Sequence, residues 1–305
     1  MTNTIEKPRV LVTGSNGMLG QAVQKYLNDY DFDLYFMNSG CYDLTREQEV
    51  ISMYKSVRPD RVIHLAAKVG GIFDNLRNPL DFLENNILMS TLVTKWAHKY
   101  NVKRFTGMLS TCVYPNDINK YPLSESDVFA GTPEITNFGY AYAKRVQGLQ
   151  IEYYNKLNRN WHYLIPCNLY GIDHKPLDSL HFIPALIKKI QNAVANNEDS
   201  ITLFGDGTPL RQFMYVNDLA KIINIMVEKD IKVSCNIAVP WNLSIKQMAD
   251  IVMEAMDVKL NIEWDSTKPN GQHRRDANTT IFKKYYPDFK FTTLAEGVKQ
   301  VIANE

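Results

Sequence analysis

The feature that most constrains this chain is a glycine triplet near its start. Residues 10–12 form a short apolar run, and Gly14-Ser15-Asn16-Gly17-Met18-Leu19-Gly20 follows it almost at once. From Met18 the pattern becomes amphipathic and predicts a helix over 18–27. Gly14 permits a tight turn, Gly17 lets backbone approach a diphosphate, and Gly20 lets the helix pack closely on the sheet. The helix start then offers unbonded N–H groups and a partial positive charge. Glycines alone often mark ordinary turns. Between a strand and a helix, these read as a dinucleotide loop lined by Gly14, Asn16, Gly17, Met18, Leu19 and Gly20.

The rest of the first half repeats the alternation. Residues 34–37, 62–67, 105–110 and 163–165 read as strands, and Pro79 opens a long helix with Leu80, Leu83, Ile87, Leu88, Leu92 and Trp96 at helical spacing. Strand and helix in alternation predict a parallel sheet covered on both faces. Past Pro166 the loops lengthen, with breaks at Pro176, Pro209, Pro240 and Pro269, and helices are expected over 182–195, 244–256 and 294–303. The expected fold class is α/β: a doubly wound, Rossmann-like parallel sheet with a smaller, mainly C-terminal α/β substrate domain. The expected division is 1–166 plus about 212–237 for the dinucleotide, and 167–211 with 238–305 for the substrate.

Composition narrows the function. At 305 residues the chain can hold about two domains. With 34 Lys and Arg against 33 Asp and Glu the net charge is +1, which argues against a nucleic-acid-coating protein but allows a local basic pocket. The cysteines Cys41, Cys112, Cys167 and Cys235 show no Cys-x-x-Cys pair, so neither a disulfide framework nor a metal site is expected. No apolar leader stands at residues 1–8 and no apolar run is long enough to span a membrane; cytoplasm is the expected location.

The second strand decides which dinucleotide. An NAD site usually places a carboxylate at its end, where it would repel a 2′-phosphate. Here the chain reads Met37-Asn38-Ser39-Gly40, and the neutral donors Asn38 and Ser39 favour NADP; the plainer reading makes them turn formers. Asp43-Leu44 lies near the adenine on this reading, or Asp43 is the cap of a helix from Thr45 onward.

Tyr140 and Lys144 share a helix face at a spacing of four. A nearby ammonium is expected to lower the phenol pKa and to hold the nicotinamide ribose. Tyr142 has no lysine four residues on. If 105–110 is a strand that runs on, Ser110 and Cys112 share one face toward the cleft. Ser110 then joins Tyr140 in donating to a substrate carbonyl oxygen; otherwise it caps a turn. Cys112 is either an inert core thiol or a base that removes a proton alpha to a ketone, and His181 either a satisfied polar residue or the acid that returns one.

These residues resemble the GDP-L-fucose synthase family (GDP-4-keto-6-deoxy-mannose 3,5-epimerase/4-reductases) within the extended short-chain dehydrogenase/reductases. The resemblance runs nearly end to end. It rests on His64-Leu65-Ala66-Ala67-Lys68-Val69-Gly70-Gly71, Leu109-Ser110-Thr111-Cys112-Val113-Tyr114-Pro115 and Asn137-Phe138-Gly139-Tyr140 through Lys144-Arg145. It continues in His181-Phe182-Ile183-Pro184-Ala185, in residues 205–213 and in Lys268-Pro269-Asn270-Gly271. It implies that Ser110, Tyr140 and Lys144 reduce a C4 ketone with NADPH, and that Cys112 and His181 act as base and acid in epimerisation at C3 and C5. It implies Ala66 and Ala67 beside the cofactor, Lys68, Val69 and Asn168 beside the sugar, Lys189, Arg211 and Arg275 on the nucleotide diphosphate, and a homodimer through the helices near Pro79 and Tyr140.

Two departures bear on the sugar. The family continues Pro-His-Asp-Asn-Phe after Asn168-Leu169-Tyr170-Gly171, where this chain has Ile172-Asp173-His174-Lys175-Pro176, and Cys167 replaces the usual threonine. Bacterial enzymes acting on GDP-4-keto-6-deoxy-heptose, some with only the reductase half, are therefore the alternative. A nucleotide-sugar 4-epimerase recycling bound NAD lacks support from an acid at the second strand's end. A non-enzymatic NADP sensor would have no use for Ser110, Tyr140 and Lys144.

Overall fold

The computed structural model describes residues 6–27, 29–118, 120–173, 180–268 and 270–304. The departing loop at His174-Lys175-Pro176, and Pro269 of the 268–271 segment, lie outside them. The N-terminal half runs β1 (Arg9–Thr13), α1 (Met18–Tyr26), β2 (Asp33–Met37), α2 (Glu47–Val57), β3 (Arg61–His64), α3 (Ile72–Arg77), α4 (Pro79–Lys99), β4 (Arg104–Met108), α5 (Phe138–Asn155) and β5 (His162–Pro166). It continues with β6 (Asn168–Tyr170), α6 (Phe182–Ala195), β7 (Ser200–Phe204), β8 (Leu210–Arg211), β9 (Phe213–Tyr215), α7 (Val216–Glu228), β10 (Cys235–Ile237), β11 (Leu243–Ser244), α8 (Ile245–Ala255), β12 (Asn261–Asp265), α9 (Thr280–Tyr285) and α10 (Leu294–Ile302).

The main sheet has six strands in the order β10-β5-β4-β3-β1-β2, and every pairing in it is parallel. Strand residues alternate between two apolar clusters. Val10, Val12, Ile63 and Leu164 enter one; Leu11, Val62, Tyr163 and Ile165 enter the other. That alternation is what a sheet buried on both faces requires. The second cluster is closed by α2 through Val50, Met53, Tyr54 and Val57 and by α4 through Val93 and Ala97. The first runs without interruption from the sheet through α7 into α6, α8 and α10, so the C-terminal elements share a core with one sheet face.

The connection from β1 turns outward to β2, and the one after it crosses back to β3. The ends of β1 and β3 therefore flank the crevice where α/β sheets bind ligands. Three small pairings, β6 with β9, β8 with β11 and β7 with β12, lie beyond the main sheet.

Two expected strands are shorter than read. The one expected over 62–67 stops at His64, and the one expected over 105–110 stops at Met108. The second difference matters. Ser110 is the N-cap of a 3-10 turn, Thr111–Val113, and its Oγ accepts from the Cys112 N–H at 3.3 Å. The strand argument for Ser110 and Cys112 sharing a face is therefore corrected: a local side-chain-to-backbone bond turns the chain there.

Candidate active site

The glycine loop is built as a close approach. Gly14 has φ +76°, and a Cβ on it would stand 2.6 Å from the Ala66 nitrogen. A Cβ on Gly20 would stand 2.6 Å from Ser15 Cα. The first contact seats the end of β1 against the segment after β3; the second presses α1 onto its own loop. Gly17 caps α1 with no side-chain bond, and the first turn carries no acid, so the positive end of α1 faces the crevice uncompensated.

Beyond β2, the Asn38 amide donates to Asn16 Oδ1 at 3.2 Å and accepts from the Gly40 N–H at 2.8 Å. Ser39 is exposed, while Leu44 is buried. Asp43 is engaged locally: its Oδ1 accepts from the Thr45 N–H at 2.9 Å and the Thr45 hydroxyl at 2.6 Å, and Arg46 Nε lies 3.3 Å from Oδ2. The Thr45 bonds hold its carboxyl below the usual range. The expected helix cap is corrected: Asp43 closes a turn onto Thr45, and α2 starts only at Glu47 with Arg46 as its N-cap.

Helix α5 carries Tyr140 and Lys144. Lys144 Nζ stands 5.8 Å from the centre of the Tyr140 ring. Burial carries the Lys144 amine down to about 7. Burial, and then the neighbouring Cys112, push the Tyr140 phenol above its ordinary value. The expected lowering of the phenol by the ammonium is corrected here: burial and Cys112 raise it, and the phenol is kept protonated. Arg145, the next residue, donates from Nε to the Val113 carbonyl at 2.8 Å and so ties α5 to the turn bearing Ser110 and Cys112.

Opposite the tyrosine, Arg275 Nη1 donates to Cys112 Sγ at 3.1 Å. Its Nε donates to Gln272 Oε1 at 2.7 Å, and Gln272 Nε2 donates to the Pro115 carbonyl at 3.0 Å. Arg211, at the end of β8, is lowered to about 9 by burial and then by the Arg275 charge, with Cys112 and Glu134 opposing. Among the described residues neither guanidinium has an ion-pair partner. Two neighbouring guanidinium groups with no ion-pair partner among the described residues have the fork geometry that suits an anion such as phosphate.

Contacts thus bring Ser110, Cys112, Tyr140, Lys144, Arg211 and Arg275 together. The other expected residues lie on nearby elements. His181 is the half-buried N-cap of α6. Asn168 donates to the Gln212 carbonyl at 3.2 Å. Lys68 pairs with Asp81 at 2.6 Å, and Val69 is exposed. Lys189 bonds the Thr202 carbonyl at 2.8 Å and lies over the Phe204 ring, directed at β7. Arg145, Gln147, Gln272 and buried His64 also shape the site. Arg145 and His64 fell in motifs that carry the resemblance, and none of the four had a role readable from spacing.

The model of the NAD dependent epimerase/dehydratase family matches residues 10–238. A GDP-L-fucose synthase of Dictyostelium discoideum is 35% identical over 98% of this chain and 96% of its own. One from Azorhizobium caulinodans is 35% identical over 88% of this chain and 86% of its own. The crystal structure of a GDP-L-fucose synthetase from Naegleria fowleri bound to NADP superposes with a TM-score of 0.87 at 29% identity, covering 97% of this chain and 92% of that one. The glycine-lined crevice, the tyrosine–lysine helix and these similarities together establish that the chain belongs to the NAD dependent epimerase/dehydratase family and, within it, groups with the GDP-L-fucose synthases.

Proposed function

We propose that this chain reduces the C4 ketone of a GDP-4-keto-6-deoxy sugar of the mannose type with NADPH, after epimerisation at C3 and C5 in the same site. The observation that carries the reading is that Cys112 bonds Ser110 through its N–H, acts on the Tyr140 phenol and takes the Arg275 guanidinium on its sulfur, with Arg211 beside Arg275. A ketone held there by its diphosphate would meet a protonated phenol, a hydroxyl and a thiol. The relatives at 35% identity that bear the name GDP-L-fucose synthase support the mannose-type sugar over the heptose type.

The residues present fit a bound NADP(H): Gly14 and Gly20 leave no room for a Cβ, α1 presents an uncapped N-terminus, and no free carboxylate stands at Asn38 and Ser39. Bound there, the dinucleotide supplies hydride. Cys112 takes the proton alpha to the ketone, which the carbonyl acidifies, and His181 returns one on the opposite face. Ser110 Oγ donates to the ketone oxygen. Tyr140 gives that oxygen its proton as the carbonyl is reduced, and two donors on one developing oxyanion stabilise the transition state. Lys144 holds the ribose and steadies the charge left on the phenol.

On this reading residues 1–166 with about 212–237 hold the dinucleotide, and 167–211 with 238–305 hold the nucleotide-sugar. Helices α4 and α5 pack together and expose Leu80, Leu88, Leu149 and Tyr153, a face suited to a second copy of the chain. No described helix is long and apolar enough to cross a membrane, and Cys41, Cys112, Cys167 and Cys235 are free thiols, which suits the cytoplasm.

The test is NADPH oxidation, followed by absorbance, with GDP-4-keto-6-deoxy-mannose and with its heptose counterpart. Turnover of the first supports the reading; turnover of the heptose alone, or of neither, refutes it.

A further inference from the structure

Lys144 is held from its own helix. Gln147 lies one turn further along α5; Lys144 is 4% exposed and Gln147 0%. The amine donates to Gln147 Oε1 at 3.2 Å. No ion pair with a carboxylate among the described residues offsets the burial that carries the amine down to about 7.

The other end of the amide is left bare. Gln147 Nε2 is buried with no partner. It faces Gly107 on β4, where an added Cβ would stand 3.5 Å from it and 2.5 Å from Ile151 Cδ1. The sheet thus makes space for the amide and gives its N–H groups nothing. A buried amide bonded only through its oxygen is oriented by the cation it meets.

The groups around the amine leave this bond to act alone. On α5 itself Tyr140 lies beside it through its ring, and Arg145 is committed to the Val113 carbonyl. On β3, His64 is kept neutral, at about 3, by burial and by the Lys144 charge. On the 3-10 turn, Cys112 is engaged by Arg275. On β5 the Tyr163 hydroxyl donates to Glu152, further along α5. On α4, Asp81 pairs with Lys68 and Glu47 of α2 takes Lys95.

We propose that Gln147 is a positioning residue for Lys144: its side-chain oxygen keeps the amine charged and beside Tyr140 before the dinucleotide arrives. The inference rests on the reading above that Lys144 serves Tyr140 and the ribose. It adds that this lysine is preorganised by an amide rather than by cofactor alone. An oxygen acceptor favours the charged amine, an apolar group does not, and a carboxylate favours it more strongly.

The Lys144 titration is readable in the cofactor-free chain by NMR of the lysine ε-methylene groups, with Lys144→Met identifying the signal. Gln147→Leu is expected to move its midpoint down by about one pH unit or more, a tenfold loss of ammonium at fixed pH. Gln147→Glu is expected to move it up by a similar amount. Should Gln147→Leu fail to fold, Gln147→Glu decides alone. Midpoints within about 0.3 unit of the parent overturn the proposal, on the same scale. A parent chain that oxidises no NADPH with any GDP-keto-sugar contradicts the proposed reaction instead, and leaves this titration to be read.

Discussion

The Arg275 guanidinium donates to the sulfur of Cys112 across 3.1 Å, while Gln272 holds the same guanidinium at 2.7 Å. That guanidinium, itself fixed, holds the sulfur in place. Arg275→Gln keeps a donor and removes the charge. The alkylation rate of Cys112 with iodoacetamide is expected to change by about threefold or more, because access to the sulfur follows the guanidinium's hold on it. An unchanged rate, followed by mass spectrometry, means that the contact is only packing.

In the proposed reaction Tyr140 is the proton donor; burial and then Cys112 keep its phenol protonated. Tyr140→Phe removes the hydroxyl and little else. Reduction is expected to fall at least about 10²-fold in kcat, the scale for a lost general acid. NADPH affinity, measured by fluorescence, is expected to stay close to that of the parent. Near-normal turnover refutes the assignment.

Arg211 is half-buried, next to Arg275, and free of any ion pair among the described residues. Its replacement by Met keeps apolar packing and deletes the charge. A lost charge-assisted hydrogen bond costs about 1.5–3 kcal/mol, or roughly 10- to 150-fold in affinity. The expected result is a KM for the GDP-sugar raised on that scale, with KM for NADPH unaltered. Equal loss for both substrates contradicts a diphosphate role.

Stability should fall in mild acid. Burial, as the largest cause, carries His64 to about 3 and His162 to about 4 from 6.5. Below pH 6.5 the unfolded chain takes up protons that the native histidines refuse, so stability is lost as pH drops from 6.5 toward 4. Each contributes about 1.4 kcal/mol per pH unit in that window. His162→Gln is expected to remove about one such increment from the slope of urea-unfolding free energy between about pH 6 and 5. An unchanged slope rules out His162 as a source.

Much of the fold was legible because each local signal agreed with the global one. Gly14 to Gly20 lies between β1 and α1 as read, and the helix expected over 182–195 is α6. Helix α2 was read only as an alternative role for Asp43, capping a helix from Thr45 onward, although Val50, Met53, Tyr54 and Val57 fall at helical spacing. The Ser110 turn was misread because one hydroxyl–amide bond, not periodicity, ends the strand there. Residues that shape the site through distant partners were silent in the sequence. Arg145 reaches Val113, and Gln272 reaches Pro115 with a separation of 157 residues. The phenol was expected to be lowered by Lys144; the depth of burial that reverses this is a property of the packed helix.

In the proposed mechanism Cys112 and Tyr140 work on one ketone at one site. The most direct measurement is NMR of the product formed from GDP-4-keto-6-deoxy-mannose and NADPH in deuterated water. The account predicts solvent deuterium at C3 and C5 with the parent chain, and its loss with Cys112→Ser, which still reduces an already epimerised ketone. A reduced product carrying no deuterium at either carbon would leave only the reductase half and contradict the claim.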